Sequence, residues 1–228
     1  MPEKQQIEHL FNDIAPSYDR LNHIMSFGID RSWRRKAVRA IADSEQQLHV
    51  LDVATGTGDF AIAIAKKLPA ESGIVGVDLS EQMLEVGRQK VSGNIVLQQG
   101  DVECLDFEED SFDRVSVAFG VRNFEHLEQG LSEMYRVLRP GGKLVILELS
   151  YPDNPFILWC YKLYALHFLP FVGGLVSGHK EAYRYLPKSI LAFPKEDVIV
   201  PLLRSVGFKN VKVRKFTSCV CVLYVASK

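Results

Sequence analysis

The sequence lacks an excess of charge of either sign, and this absence limits its partners. Its 27 Lys and Arg residues oppose 28 Asp and Glu residues, for a formal net charge of −1. A protein that holds a nucleic-acid backbone needs a broad basic surface, which this balance does not provide. We therefore expect no nucleic acid among the partners of this chain.

Cysteine is also scarce, with only four residues in 228. None of them forms a C-x-x-C pair, and the last two have no nearby histidine or further cysteine, so the spacing does not suit a metal site. We expect no metal, and reduced, mostly buried thiols rather than disulfides. The four are Cys104, Cys160, Cys219 and Cys221.

Long uninterrupted apolar runs are missing as well. The most apolar segment, residues 156–176, is interrupted by Lys162, His167 and Pro170, whereas a bilayer span needs about 20 consecutive apolar residues. The N-terminus has no basic region leading into an apolar one, so we predict no signal peptide. The expected location is the cytoplasm.

Apolar strand patterns alternate with helical patterns along most of the chain. This alternation predicts an α/β fold with a doubly wound, mostly parallel sheet. Two final apolar runs joined by a short turn predict a closing β-hairpin, and hence a seven-stranded sheet with one antiparallel strand. The predicted strands are 48–54, 73–78, 94–99, 112–119, 143–149, 211–216 and 220–226, and the helices between them include 59–68, 81–91 and 123–138.

We interpret residues 1–228 as a single domain made of four parts. Residues 1–45 are predicted to form an N-terminal helical cap, and residues 48–150 a cofactor-binding core. An aromatic-rich insert, residues 151–195, interrupts the path to the C-terminal helix and hairpin of residues 196–228.

A glycine turn follows the first predicted strand and opens a helix. Gly56 and Gly58 allow a ligand to approach the backbone, and the helix N-terminus offers free N–H groups. Asp78, 22 residues after Gly56, ends the next strand, where a carboxylate can accept both hydroxyls of a ribose. The pattern predicts a nucleotide-type pocket.

Two more carboxylates narrow the choice of cofactor. Asp52 and Asp59 flank the glycine turn and would repel a pyrophosphate, but they would attract a sulfonium and an α-ammonium group. Asp101 and Val102 follow the third strand, a position suited to an adenine. The alternative, that Asp52 and Asp59 only cap turns and the helix, stays open.

Residues 48–150 resemble the class I S-adenosylmethionine-dependent methyltransferases. The resemblance includes Ser111-Phe112-Asp113-Arg114-Val115 before the fourth strand and the segment 133–142, EMYRVLRPGG, leading into the fifth. It implies S-adenosyl-L-methionine as the cofactor. The implied contacts are Asp52, Gly56, Thr57 and Gly58 at the methionine part, Asp78 at the ribose, and Asp101 and Val102 at the adenine.

Three further segments resemble the ubiquinone/menaquinone biosynthesis C-methyltransferases over nearly the whole chain. One departure is Ala118, where some members carry serine, so a hydroxyl contact to the cofactor is absent there. The segments are FNDIAPSYDRLN at 11–22 with Trp33-Arg34-Arg35, Phe119-Gly120-Val121-Arg122-Asn123, and YRYLPKSI at 183–190 with Phe193-Pro194.

This resemblance implies methylation of a ring carbon of a polyprenylated hydroquinone, and suggests roles for four residues. Arg122 would stabilise a phenolate, and Asn123 and Tyr18 would orient the substrate oxygen. His126, one helical turn beyond Arg122, is a candidate base or relay. Alternatives are that Arg122 and Asn123 only open the helix, that Tyr18 packs in a lid, and that His126 lies at the surface.

We prefer demethylmenaquinol as the substrate because the chain is compact and has no organellar extension. Dual specificity for ubiquinone and menaquinone precursors stays open. The segment 156–176 is interpreted as a lid for the isoprenoid tail with transient contact to a membrane surface, or else as an ordinary buried helix. A homodimer is left open.

Two other classes of protein remain alternatives. An NAD-dependent oxidoreductase would use the glycine turn. A non-catalytic scaffold of a quinone-synthesis complex would keep the fold without turnover.

Overall fold

The protein contains one seven-stranded sheet covered by helices on both faces. A computed structural model describes residues 3–19, 22, 26–168 and 180–228. The strands are β1 His49–Val53, β2 Gly73–Asp78, β3 Ile95–Gln99, β4 Phe112–Ala118, β5 Leu138–Leu149, β6 Lys209–Phe216 and β7 Cys221–Ser227. The α-helices of the described ranges are α1 Lys4–Ile14, α2 Asp30–Ile41, α3 Asp59–Ala65, α4 Glu81–Arg88, α5 Leu127–Val137, α6 Pro155–Leu163, α7 Lys180–Ala192 and α8 Glu196–Val206.

The strand order is β3-β2-β1-β4-β5-β7-β6. Strands β1 to β5 pair in parallel, and β7 is antiparallel to both of its neighbours. The predicted fold class is confirmed. The order reverses between β1 and β4, and ligand crevices of such sheets form at the carboxyl ends of the strands on either side of this point.

The central strands are apolar on both sides because helices cover both faces of the sheet. Val50 and Leu51 are adjacent in β1 but belong to separate clusters on opposite faces. Leu51 packs with residues of α5 and α8, whereas Val50 packs with residues of α2 and α3.

Strand β5 begins five residues earlier than predicted. The preceding helix ends at Val137, and Leu138 already pairs with Phe112 of β4. The next pair is Arg114 with Lys143, so the intervening Pro140-Gly141-Gly142 forms an irregularity within the strand rather than the end of a helix.

The helix predicted from residue 123 begins only at Leu127. Val121–Asn123 form a 3-10 turn, and Phe124 is extended with φ −66° and ψ 133°. The ring of Phe124 is buried against Gly130, where an added Cβ would lie 2.8 Å from it. The prediction that His126 lies one helical turn beyond Arg122 is therefore wrong, because His126 precedes the helix as its N-cap.

Helix α6 differs from an ordinary buried helix because none of its residues is buried. The Asn154 side chain accepts hydrogen bonds from the N–H groups of Phe156 and Ile157, which caps its start. Residues 169–179 of the predicted lid, and residues 20 and 21 of the first family segment, lie outside the described residues. None of the helices in the described ranges is both long and apolar enough to cross a bilayer.

The cysteines are only partly as expected. All four are free thiols. Cys219 and Cys221 are buried, but Cys104 and Cys160 are exposed, so the prediction of mostly buried thiols is wrong for half of them.

Candidate active site

The turn after β1 follows a left-handed path that brings its backbone close to the ends of the neighbouring strands. Ala54, Gly56 and Gly58 have φ of 50°, 57° and 77°, values that favour glycine. Gly58 is the N-cap residue of α3, and Gly56 lines a cavity at the carboxyl ends of β1, β2 and β4, which we call the first cavity.

Asp78 ties this turn to the end of β2. Its carboxylate accepts the N–H of Gly56 at 2.7 Å and the N–H of Ser80 at 2.9 Å. Removal from water raises the pKa of Asp78, against the lowering effect of these N–H groups. Carboxylate oxygens have further lone pairs for a ligand.

The rest of the first cavity is an apolar slot with a charged rim. Lys4 of α1 crosses the rim, with its Nζ 2.7 Å from Asp101 and 2.8 Å from Glu103. Helix α1 thus covers one side of the cavity. The apolar lining residues include Ile7, Phe11, Val53, Val77, Leu79, Met83, Val102 and Phe124.

The structure brings four of the seven predicted cofactor residues to the lining of this cavity: Gly56, Asp78, Asp101 and Val102. Gly58 instead lies against Val91 and Leu97. The hydroxyl of Thr57 donates to Asp19 at 2.6 Å, and this hydrogen bond links the glycine turn to the N-terminal segment.

Asp52 does not line the cavity but lies buried behind it. It accepts hydrogen bonds from the hydroxyls of Thr55 and Ser116, both at 2.7 Å. Burial raises its pKa to about 6 even though both hydroxyls favour the charged form. Asp59 forms an ion pair with Lys90 at 2.7 Å. Both carboxylates are engaged within the protein, and their placement beside the cofactor stays a prediction.

A second cavity of about 300 Å³ adjoins the first. Phe11, Tyr18 and Phe119 line both cavities, so the two meet at these aromatic side chains. The second cavity is mainly apolar and draws its walls from α1, α2, α6, α7 and the C-terminal hairpin. Its other lining residues include Leu10, Ile14, Phe27, Ile29, Trp33, Arg34, Arg122, Leu149, Tyr161, Tyr164, Tyr185 and Ile190.

Arg122 is buried at the wall of the second cavity and is held by Glu148 of β5. Its Nη1 lies 2.8 Å from Glu148 Oε1, and its backbone N–H donates to Glu148 Oε2 at 3.1 Å. Nη1 also donates to the carbonyl of Phe119. The Nε atom of Arg122 is buried and has no hydrogen-bond partner.

The other three predicted catalytic residues have different settings. Tyr18 lines both cavities. Asn123 lines the first, and its Oδ1 accepts the hydroxyl of Tyr185 at 2.8 Å. His126 lines neither cavity: its Nδ1 is 2.8 Å from Glu103, and its side chain is 62% exposed.

Sequence reasoning missed Glu148. Glu148 carried a usable signal, since it is a single acid within the apolar strand 144–149, as Asp52 is within β1. Tyr161 and Tyr164 lie in the apolar segment 156–176 and Tyr185 in the family segment 183–190, and only the structure brings these two segments to one cavity.

The first cavity fits an adenosine-bearing ligand with a compact charged tail. It combines a carboxylate at a strand end, an apolar slot and the glycine turn at Gly56. Together with the sheet order, these features define a class I methyltransferase that uses S-adenosyl-L-methionine.

Comparisons with known proteins agree with this class and show the family of the chain. The ubiE/COQ5 methyltransferase family model matches residues 1–228, and the chain belongs to that family. A demethylmenaquinone methyltransferase of Bacteroides fragilis is 46% identical over 231 residues, covering 99% of this chain and 94% of that protein.

Two further proteins are similar to the chain. A ubiquinone/menaquinone biosynthesis C-methyltransferase UbiE of Geobacter sulfurreducens is 47% identical, covering 98% of this chain and 89% of that protein. A crystal structure of an SAM-dependent methyltransferase from Thermotoga maritima has a TM-score of 0.67 at 19% identity, covering 96% of this chain and 99% of that one. At this identity the structure supports the fold alone.

Proposed function

We propose that this methyltransferase methylates a ring carbon of a polyprenylated hydroquinone, with demethylmenaquinol as its substrate. The observation that carries the proposal is the second cavity, an aromatic-walled space that meets the first cavity and contains two arginines. An aromatic ring fits such walls, and the arginines suit its oxygens. The names of the two relatives given above support the same substrate class.

We propose that the first cavity holds S-adenosyl-L-methionine, with Asp78 at the ribose, Asp101 and Val102 at the adenine, and Gly56 at the methionine part. When bound, the cofactor supplies a methyl group on an electrophilic sulfonium. Thr57, Gly58 and Asp52 support this site indirectly, because they shape the turn that presents Gly56.

In this proposal Arg122 stabilises the substrate oxygen as its charge develops. A ring carbon becomes nucleophilic when the neighbouring hydroxyl loses its proton, which passes to water in this proposal. A guanidinium keeps its proton in proteins and so stabilises a phenolate rather than acting as the base. Glu148 binds Nη1 and the backbone N–H of Arg122, and the buried Nε of Arg122 has no hydrogen-bond partner.

The tyrosines of the second cavity line it and can donate hydrogen bonds, but they do not act as bases. Burial raises the pKa of Tyr18, and it raises the pKa of Tyr161 to about 12. Both phenols are therefore protonated at neutral pH. Tyr185, which donates to Asn123, positions that amide beside the junction of the cavities.

We propose that helix α6 makes transient contact with a membrane surface while the isoprenoid tail enters, and that the enzyme works from the cytoplasm. Phe156 and Trp159 on α6 are 72% and 59% exposed, and their rings stack 6.4 Å apart. Tyr161 and Tyr164 of the same segment line the second cavity. The same segment thus carries both an exposed apolar face and wall residues of the proposed substrate site.

A competition experiment tests the proposed function. Purified protein receives labelled S-adenosylmethionine with demethylmenaquinol and the ubiquinol precursor together, and mass spectrometry identifies the labelled product. We expect a methylated naphthalene ring. Label on both rings would show dual specificity, and label on neither would contradict the proposal and favour a scaffold.

A further inference from the structure

Two buried side-chain nitrogens lack a hydrogen-bond partner, and they are the only such side-chain atoms in the described part of the chain. They are the Nε atoms of Arg34 and Arg122. Both arginines line the second cavity. Leaving a buried donor unpaired costs free energy, so two of them in one cavity require an explanation.

Arg34 is held in place without using its Nε–H. Its guanidinium carbon lies 5.0 Å from the centre of the Phe119 ring, a cation–π distance. Its Nε is 3.6 Å from Asp30 Oδ2, close enough for charge attraction but too far for a hydrogen bond. Only 14% of its side chain is exposed. Arg34 is therefore a fixed cation at the wall of the second cavity, and its buried Nε has no hydrogen-bond partner.

The charges of the Arg34 and Arg122 guanidinium groups both act at Tyr18. Burial raises the pKa of Tyr18, and the charges of Arg122 and Arg34 both oppose that rise. Tyr18 and Phe119 line both cavities, so both cations act at the junction where the ring would meet the cofactor.

We propose that Arg34 and Arg122 bind the two ring oxygens of the hydroquinone, with Arg34 at the hydroxyl para to the one that Arg122 binds. This inference rests on the proposed function. A 1,4-diol carries its oxygens on opposite sides of the ring, so two separate donors suit it better than one.

The assignment of each arginine to its oxygen follows from their neighbours. Asn123, next to Arg122, lines the first cavity, so Arg122 serves the hydroxyl beside the carbon that is methylated. Asp30 and Trp33, on the same helix as Arg34, line the second cavity but not the first. Arg34 is thus a binding and positioning residue that selects a diol over a ring with one hydroxyl.

The test compares two short-tailed prenylated substrates. One is the 1,4-naphthalenediol, and the other keeps the hydroxyl beside the methylated carbon but lacks the para hydroxyl. The ratio of their kcat/KM values is measured for the wild type, Arg34→Gln and Arg35→Gln. Arg35, exposed and adjacent on the same helix, provides the matched control. The ratio does not depend on how much of each preparation is folded.

We expect Arg34→Gln to reduce the diol preference by about tenfold or more, because a charged donor to the para oxygen is lost. Arg35→Gln should keep the wild-type ratio. If Arg34→Gln is inactive on both rings, Arg34→Lys, which keeps the charge but lacks the planar guanidinium, is measured instead and should show a smaller loss in the same direction.

An unchanged ratio in the Arg34 variants, with the diol still methylated, would overturn this inference and leave the proposed function standing. A wild-type protein that methylates neither ring would overturn both.

Discussion

Four charged side chains lie at or near the carboxyl ends of the central strands. Asp52 is the penultimate residue of β1, Asp78 ends β2, Arg122 follows β4, and Glu148 lies near the end of β5. Removing a charge from water is costly unless hydrogen bonds or an opposite charge compensate. Here hydroxyls, backbone N–H groups and the pair of Arg122 with Glu148 do so.

Asp78 can be tested by cofactor affinity. We predict that Asp78→Ala weakens S-adenosylhomocysteine binding by at least about tenfold, or ~1.4 kcal/mol, because the proposed ribose contacts are lost. Calorimetry gives the dissociation constant. Asp106→Ala, which removes an exposed carboxylate, should leave it unchanged, and an equally unchanged affinity in Asp78→Ala would exclude the ribose role.

Arg122 can be tested by separating turnover from cofactor binding. We predict that Arg122→Ala lowers kcat by about 100-fold or more, the range of proton-transfer and charge-stabilising groups, while the cofactor dissociation constant changes little. Arg139→Ala, which removes an arginine paired with Asp113, is the control. Near-normal turnover of Arg122→Ala would show that the residue only supports the fold.

The stability of the Arg122→Ala variant must also be measured, because this substitution leaves Glu148 buried without its cation. Such a loss typically destabilises a protein by about 3–5 kcal/mol. Arg122→Ala with Glu148→Gln removes the unpaired charge, so the double variant should regain stability in thermal unfolding but not turnover. Recovery of turnover would contradict the proposed role of Arg122.

At the scale of elements, the 3-10 turn and α6 do most to shape the site. The turn at Val121–Asn123 places two adjacent side chains on different cavities, with Arg122 at the second and Asn123 at the first. A regular helix from residue 123 would instead have carried His126 toward Arg122. Helix α6 lines the second cavity with one face and exposes large apolar side chains on the other.

The exposed face of α6 can be tested with lipid vesicles. We predict that Phe156→Ser with Trp159→Ser reduces cosedimentation with vesicles by at least about tenfold, since inserting each side chain contributes roughly 1.5–3 kcal/mol. Activity on a short-tailed substrate in detergent should persist. Val198→Ser, on the exposed surface of α8, is the control, and unchanged vesicle binding of the α6 variant would contradict membrane contact through this helix.

At the scale of the whole molecule, both cavities depend on parts that lie outside the sheet. Helix α1 contacts α4 and α7, and residues from α1 and the adjoining segment to Tyr18 line both cavities. The boundaries of cap, core and lid remain a prediction, but closure of the site by the N-terminal segment couples ligand binding to the stability of the whole chain.

This coupling can be measured as a thermal shift. S-adenosylhomocysteine at about 100 times its dissociation constant should stabilise the native state by about 2.7 kcal/mol, which corresponds to a rise in Tm of roughly 5–10 °C for a chain of this size. NADH at the same concentration should leave Tm unchanged. The opposite pattern would favour an oxidoreductase.

Much of the fold was predictable because its signals are local. Apolar runs, turn residues and the glycine turn predicted all seven strands in order. The errors are at element boundaries, such as the residue at which β5 begins. Pairing of Leu138 with Phe112 decided that end, and this contact depends on two segments that are distant in sequence.

The sequence by itself determined the sheet, the family resemblance and the lining of the first cavity by Gly56, Asp78, Asp101 and Val102, because strand ends and the turns after them are encoded side by side in the chain. Only the tertiary structure decided the rest. In the folded chain Asp59 pairs with Lys90, His126 with Glu103, and Arg122 with Glu148. Arg34 and Arg122 line the same cavity, the second one. These contacts join distant segments, and the partner of a buried charge is set by packing rather than by spacing along the chain.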